Sequence, residues 1–203
     1  MAAPFWDLFF SMDEFPDSQK RSGQSLVTHA LVCASLALHQ CEPDWFVVMC
    51  LIQHFGKSVA FLGGTTRNGT SRERQWGLVG PTYLMETSTS RSGMESALWS
   101  FSHCDIIHGA LQRMTSIQQC FLPKEALFIL RFQDCVEWHT EDRHTELENV
   151  TDSKFKSSIQ RLVVIQANAL KHPLKKQQQS RRNSENQFNK LVLKYFPLGV
   201  FTM

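Results

Sequence analysis

The residues in this chain best suited to metal or proton chemistry stand on separate apolar stretches. His29 lies in Thr28-His29-Ala30, the pair Gln53-His54 in Leu51-Ile52-Gln53-His54-Phe55-Gly56-Lys57, and His103 at the end of Ser100-Phe101-Ser102-His103. One helix face brings together only neighbours three or four positions apart, so ligands for an ion inside a helical domain must converge from several helices. Single histidines on distinct helical segments have that layout. His54 lies three residues before Lys57, close to one face of its helix. Joined with His29 and His103, it gives a candidate three-histidine site for one metal ion, the ligand count of a catalytic zinc site. The plainer alternative for His29 and His103 is a buried histidine bonded to a backbone carbonyl. A two-metal centre asks for more, because cations ~3.5–4 Å apart repel and need a bridging anionic oxygen. Imidazole offers one neutral nitrogen to a given metal and cannot take that role.

The elements that must position these side chains read as helices. Apolar residues at Leu26, Ala30, Leu31, Ala34 and Leu38 mark a helix over 26–40, and Pro43-Asp44 opens another through Trp45, Phe46, Val48, Met49, Ile52 and Phe55. Segments 63–69 and 87–93 are loops, with a short extended piece Trp76-Gly77-Leu78-Val79-Gly80 between them. A helix is expected over 94–112, and one from Pro123 through Leu127, Leu130, Phe132 and Val136. A weaker helix spans 157–170, a polar basic loop occupies 175–186, and a last helix covers 187–195. The expected fold class is all-α, a single helical domain over residues 1–203 with minor extended segments.

Bulk properties narrow the classes. A chain of 203 residues with 42% hydrophobic content can bury one sizeable core. A net charge of +2 demands neither nucleic acid nor an anionic membrane, and the Lys/Arg stretch 175–182 has no interleaved aromatics for stacking on bases. The first ten residues lack a basic n-region, and no apolar run approaches the ~20 residues of a membrane span. The six cysteines are scattered without a C-x-x-C pair, which reads as reduced, buried thiols. A cytoplasmic monomer without nucleic-acid or membrane partners is expected.

Several stretches together carry a resemblance. Pro43-Asp44-Trp45-Phe46, Leu51 to Lys57, Gln75-Trp76-Gly77-Leu78-Val79-Gly80, Leu98 to His103, Leu122-Pro123-Lys124-Glu125-Ala126, Ile129-Leu130-Arg131-Phe132 with Trp138-His139-Thr140, and Lys194-Tyr195-Phe196-Pro197 fit in order and spacing. In these the chain resembles the myo-inositol oxygenase family, over roughly residues 8–140 and the last helix. The resemblance implies an all-helical His-Asp domain that holds two irons and uses O2 to convert myo-inositol to D-glucuronate. Carried over residue by residue, the first and fourth ligands fall on His29 and His103, both retained. The His-Asp dipeptide falls on Gln53 and His54, a further histidine on Gln133, and a late aspartate near Ala167, all changed. The substrate-facing lysine falls on Lys57, the candidate catalytic residue. Substrate-binding positions fall on Asp13, Glu14 and Gly80, where Phe15 and Pro81 replace a hydroxyl and an acidic acceptor.

Iron is the metal the resemblance implies, but a two-iron centre is not expected with these substitutions, and whether one metal ion binds is left open. Three readings stay open at this point: an inactive or strongly impaired inositol oxygenase homologue, a working enzyme with an altered metal site, and a non-enzymatic polyol-binding or interaction protein. Myo-inositol is the small-molecule partner expected in each case where one binds.

Overall fold

A computed structural model describes residues 2–14, 24–58, 103–171 and 181–203. The expected loops 63–69 and 87–93, the extended piece at 76–80, the start of the helix at 94 and His172 lie outside the described residues. In chain order the elements are β1 (Ala2–Pro4), α1 (Phe5–Ser11), a 3-10 turn (Met12–Glu14), α2 (Leu26–His39), α3 (Asp44–Ile52) and a 3-10 turn (Phe55–Ser58). They continue with α4 (His103–Ser116), α5 (Lys124–Phe132), α6 (Val136–Glu141), a 3-10 turn (Thr145–Leu147), α7 (Val150–Ala169), α8 (Arg181–Tyr195) and β2 (Val200–Thr202). The fold is all-α, as the sequence implies.

Helix α3 is the centre. Phe46 through Ile52 are all fully buried, so this helix is covered on every side. Helix α2 packs along it, α5 and α8 contact it on other faces, and α7 packs across α2 and α5. The buried apolar side chains of these elements join in one continuous core. The short strands pair antiparallel, Ala3 opposite Phe201. That pairing sets the aromatic side chains of α1 and the C-terminal segment around Phe55: the Phe5 and Phe201 rings stand 5.2 and 5.0 Å from it, centroid to centroid. Phe55 therefore anchors the turn that carries Gly56 and Lys57.

Gly56 meets the first residue of α4 at close range. A Cβ there would lie 1.8 Å from the backbone oxygen of His103. Only a residue without a side chain lets these two backbones approach, which is one of the recognised uses of glycine.

Three sequence expectations need correcting. Helix α7 begins at Val150, not at residue 157, because Asn149 caps it. The Asn149 side chain accepts from the Thr151 and Asp152 amides at 2.8 and 3.0 Å, and Asp152 accepts from the Asn149 amide at 2.9 Å. This reciprocal cap starts the helix two turns before its apolar periodicity becomes clear. The expected polar loop 175–186 is helical from Arg181 onward, where Arg181 also pairs with Glu185 one turn later. The helix from Pro123 does not run through Val136. It stops at Phe132, and α6 starts afresh at Val136. The freed Gln133 carbonyl accepts from the His139 ring at 3.0 Å, while the Gln133 side chain turns back onto the Leu130 carbonyl at 3.3 Å. The break is thus satisfied by side chains. The sequence reading also missed α1.

Among the described residues no helix is long and apolar enough to cross a membrane. No disulfide joins the cysteines of the described residues; Cys33, Cys50, Cys104, Cys120 and Cys135 are buried and Cys41 is exposed.

Candidate functional site

A polar cavity of about 320 Å³ opens between α2, α4, α7 and the turns after α3 and α5. His29, His54, Lys57, His103 and Gln133 all line it, together with Asp134, Gln166 and Ala167. Residues from five segments far apart in sequence therefore meet at one place. Ser25 begins the helix that delivers His29, accepting from the Thr28 amide at 3.1 Å. The close approach at Gly56 holds Lys57 and His103 on facing walls.

His29 and His54 bind each other, with His29 Nδ1 and His54 Nε2 3.1 Å apart. The other His29 nitrogen, Nε2, faces the Gln166 carbonyl at 3.4 Å. A carbonyl only accepts, so in the tautomer that serves this 3.4 Å contact, shorter than the 3.7 Å to Cys33 Sγ, His29 Nε2 carries the proton, His29 Nδ1 accepts, and His54 donates through Nε2. That leaves His54 Nδ1 as a buried lone pair with no partner among the described residues. Burial holds the His54 pKa well below the ordinary histidine value, and the charges of Lys57, His29 and His103 push in the same direction. His54 is therefore neutral at neutral pH.

Gln53 is fully buried behind this wall. Its amide nitrogen donates to the Cys50 carbonyl at 3.0 Å, which turns its oxygen toward Gln166, whose nitrogen donates to it at 2.7 Å. Gln133 is arranged the same way. Its nitrogen donates to the Gln53 and Leu130 carbonyls at 3.2 and 3.3 Å, and its oxygen accepts from the same Gln166 nitrogen at 3.2 Å. Three amides thus close into one network, with the Gln53 and Gln133 nitrogens oriented by backbone carbonyls and the Gln166 nitrogen by their two oxygens. The side chain that completes it is Gln166, one residue before Ala167.

On the opposite side of Gln133 stands a trio absent from the sequence reading. His103 Nε2 lies 3.5 Å from Asp134 Oδ2 and 3.7 Å from Cys104 Sγ, and Cys104 Sγ donates to Asp134 Oδ2 at 3.4 Å. Among the described residues, this is the group of three ligand-type side chains whose atoms all lie within 4.8 Å of one another. Burial raises the Cys104 pKa well above the ordinary thiol value, with the Asp134 charge adding to it. The break after α5 is what turns Asp134 toward His103. A carboxylate immediately following Gln133 was the available sequence signal.

The other sequence candidates fall outside the cavity wall or outside the described residues. Asp13 is exposed on the 3-10 turn after α1, and the side chain of Glu14 is not among those described, nor is Gly80. His139 is buried and gives both ring nitrogens to structural bonds, to the Gln133 carbonyl and to Thr140 at 3.0 Å each.

An all-α chain whose separate helices aim imidazoles, amides and a carboxylate into one polar cavity has the architecture of a helical metal-binding domain. The chain belongs to the myo-inositol oxygenase family: residues 85–201 match that family's model, a span that includes His103, Gln133, Asp134 and Gln166. It is similar to the inositol oxygenase of Danio rerio, 23% identical over 144 residues, covering 56% of this chain and 47% of the relative. It is likewise similar to the inositol oxygenase of Sus scrofa, 24% identical over 141 residues, covering 55% of this chain and 45% of the relative. The chain spans about half the length of the curated relatives it matches.

Proposed function

We propose that this chain is an inositol oxygenase homologue that no longer holds a two-iron centre, so that oxidation of myo-inositol to D-glucuronate is absent or barely detectable. The observation that carries this reading is the closed amide network of Gln53, Gln133 and Gln166. By the resemblance, Gln53 and Gln133 stand where histidine ligands are expected, and Gln166 stands beside the late aspartate position. Their oxygens and nitrogens are spent on one another, on backbone carbonyls and, for Gln133, on the Cys104 sulfur.

The residues present do not fit a two-iron centre. Amides are neutral, weak donors, and the bridging position carries His54, which cannot supply an anionic oxygen between two cations. Asp134 is the one carboxylate among the described residues lining the cavity. Altering a single outer partner of a metal already costs ~10–100-fold in affinity or activity, and here several direct positions change together. Lys57 keeps one donor for a polyol oxygen, but one donor cannot orient a near-symmetric ring, and misplacement by ~1 Å costs ~100-fold.

Anaerobic iron loading, Mössbauer spectroscopy and an O2-dependent glucuronate assay test this reading. The unmodified chain is expected to show no coupled two-iron signal. The variant Gln53→His/His54→Asp/Gln133→His is expected to take up more iron. A coupled signal in the unmodified chain, or turnover near that of an intact relative and abolished by His29→Ala, overturns it.

The cavity itself favours a second reading, a retained polyol pocket without oxidation. It lies at the lower end of the ~300–1,000 Å³ range of ligand sites and presents Lys57, Gln24, Ser25 and His54. Titration calorimetry of the metal-free chain with myo-inositol tests this; the absence of any binding heat removes it. A cytoplasmic monomer fits both readings, and sedimentation equilibrium checks the oligomeric state.

A further inference from the structure

The triangle formed by His103 Nε2, Asp134 Oδ2 and Cys104 Sγ has edges of 3.5, 3.7 and 3.4 Å, in the order N–O, N–S and S–O. For zinc bonded to nitrogen, oxygen and sulfur at about 2.05, 2.1 and 2.3 Å, tetrahedral angles give edges of about 3.4, 3.6 and 3.6 Å. Right angles at the same bond lengths would give edges of only about 2.9, 3.1 and 3.1 Å. The three atoms already stand, within about 0.2 Å, on one face of a zinc tetrahedron.

We propose that His103, Cys104 and Asp134 bind a single Zn2+ ion, with water from the adjoining cavity as the fourth ligand. A thiolate, an imidazole and a carboxylate suit a borderline-soft, tetrahedral cation better than a hard octahedral one. The surroundings support the sulfur ligand. Gln133 Nε2 lies 3.7 Å from Cys104 Sγ and shares its two hydrogens among that sulfur and the Gln53 and Leu130 carbonyls, which hold the amide in place. An N–H donor on a metal-bound thiolate stabilises its charge and fixes its orientation. His103 and Asp134 line the cavity, which gives the ion a route in and leaves the fourth position wet. Three protein ligands and one water make an open site rather than a closed structural one. Binding exchanges the Cys104 S–H bond for an S–Zn bond, and the proton leaves to solvent with no change of oxidation state.

The proposal differs from a three-histidine site, because His29 and His54 are bonded to each other and lie outside the trio. It is also independent of the proposed loss of two-iron chemistry, since zinc and iron are read separately by elemental analysis.

The test uses the full chain produced with zinc and purified without chelator. One zinc per chain is expected, with an X-ray absorption fine structure of one sulfur at about 2.3 Å and the remaining ligands nitrogen or oxygen at about 2.0–2.1 Å. Replacing zinc by Co2+ should produce a thiolate-to-cobalt charge-transfer band with tetrahedral ligand-field bands. Cys104→Ala should abolish the charge-transfer band and lower affinity by at least ~100-fold, Asp134→Asn should keep the band and lower affinity ~10–100-fold, and His29→Ala should alter neither. Absence of zinc, or zinc without sulfur in its shell, overturns the site. So does metal lost on His29→Ala but kept on Cys104→Ala, the pattern of a three-histidine site. If Cys104→Ala does not fold, the sulfur count on the unmodified chain decides alone.

Discussion

Replacing Gln166 by glutamate keeps the side chain's size and removes both of its donors. In the native network the Gln166 nitrogen supplies Gln53 Oε1 at 2.7 Å and Gln133 Oε1 at 3.2 Å. Neither receiving amide can turn over to compensate, because each nitrogen is already committed to backbone carbonyls. The introduced carboxylate, when ionised, would face two buried oxygens with a third acceptor. A buried acceptor left unmade costs about 1–3 kcal/mol; Gln133 borders the cavity and can take a water, whereas Gln53 is sealed. The expected loss is about 2–4 kcal/mol near neutral pH. With a urea slope of about 2 kcal/mol/M, the unfolding midpoint falls by about 1–2 M. Protonation gives the new side chain back one donor, so its folded pKa lies above the unfolded value of about 4.3 and the penalty is smallest below that pH. The difference from the parent should therefore grow as pH rises from about 4.3. Urea unfolding followed by tryptophan fluorescence, with chelator present, measures this at several pH values. A Gln166→Glu variant within about 0.5 kcal/mol of the parent at neutral pH, with the same pH slope, would refute the donor assignment.

Gly56→Ala should be severe, because its Cβ would sit 1.8 Å from the His103 backbone oxygen; overpacking on the order of 1–3 kcal/mol or more should lower the melting temperature by at least ~2 °C, measured by circular dichroism. His54 titrates in the opposite sense to that introduced carboxylate: its folded pKa is depressed by burial, so the unfolded chain binds the extra proton and stability falls as pH drops below about 6.5. The His54→Gln variant should show a slope shallower by up to about 1.4 kcal/mol per pH unit in that window, and an unchanged slope would mean the ring is not buried neutral. Asn149→Ala removes the cap of α7 and should cost about 1 kcal/mol in urea unfolding; a neutral result would show that Asp152 alone holds the helix start.

The sequence by itself settled what depends on residue type and local order. Proline and periodic apolar residues announced the starts of α3 and α5, and the ordered motifs placed the chain in its family and pointed to His29, Gln53, His54, His103 and Gln133 around one cavity; four of the five line it, and Gln53 is buried behind its wall. Local pattern failed where satisfaction came from a distant partner. The stop after Phe132 depends on His139, six residues beyond Gln133, supplying the bond that ends the helix. Gln166 gains its meaning from Gln53, 113 positions away, and Asp134 reaches Cys104 across 30. A hydrogen bond or metal edge is set by distances of a few ångströms between atoms on different helices. Residue types state which donors and acceptors exist, but only the packing of α3, α4, α5 and α7 decided which of them meet.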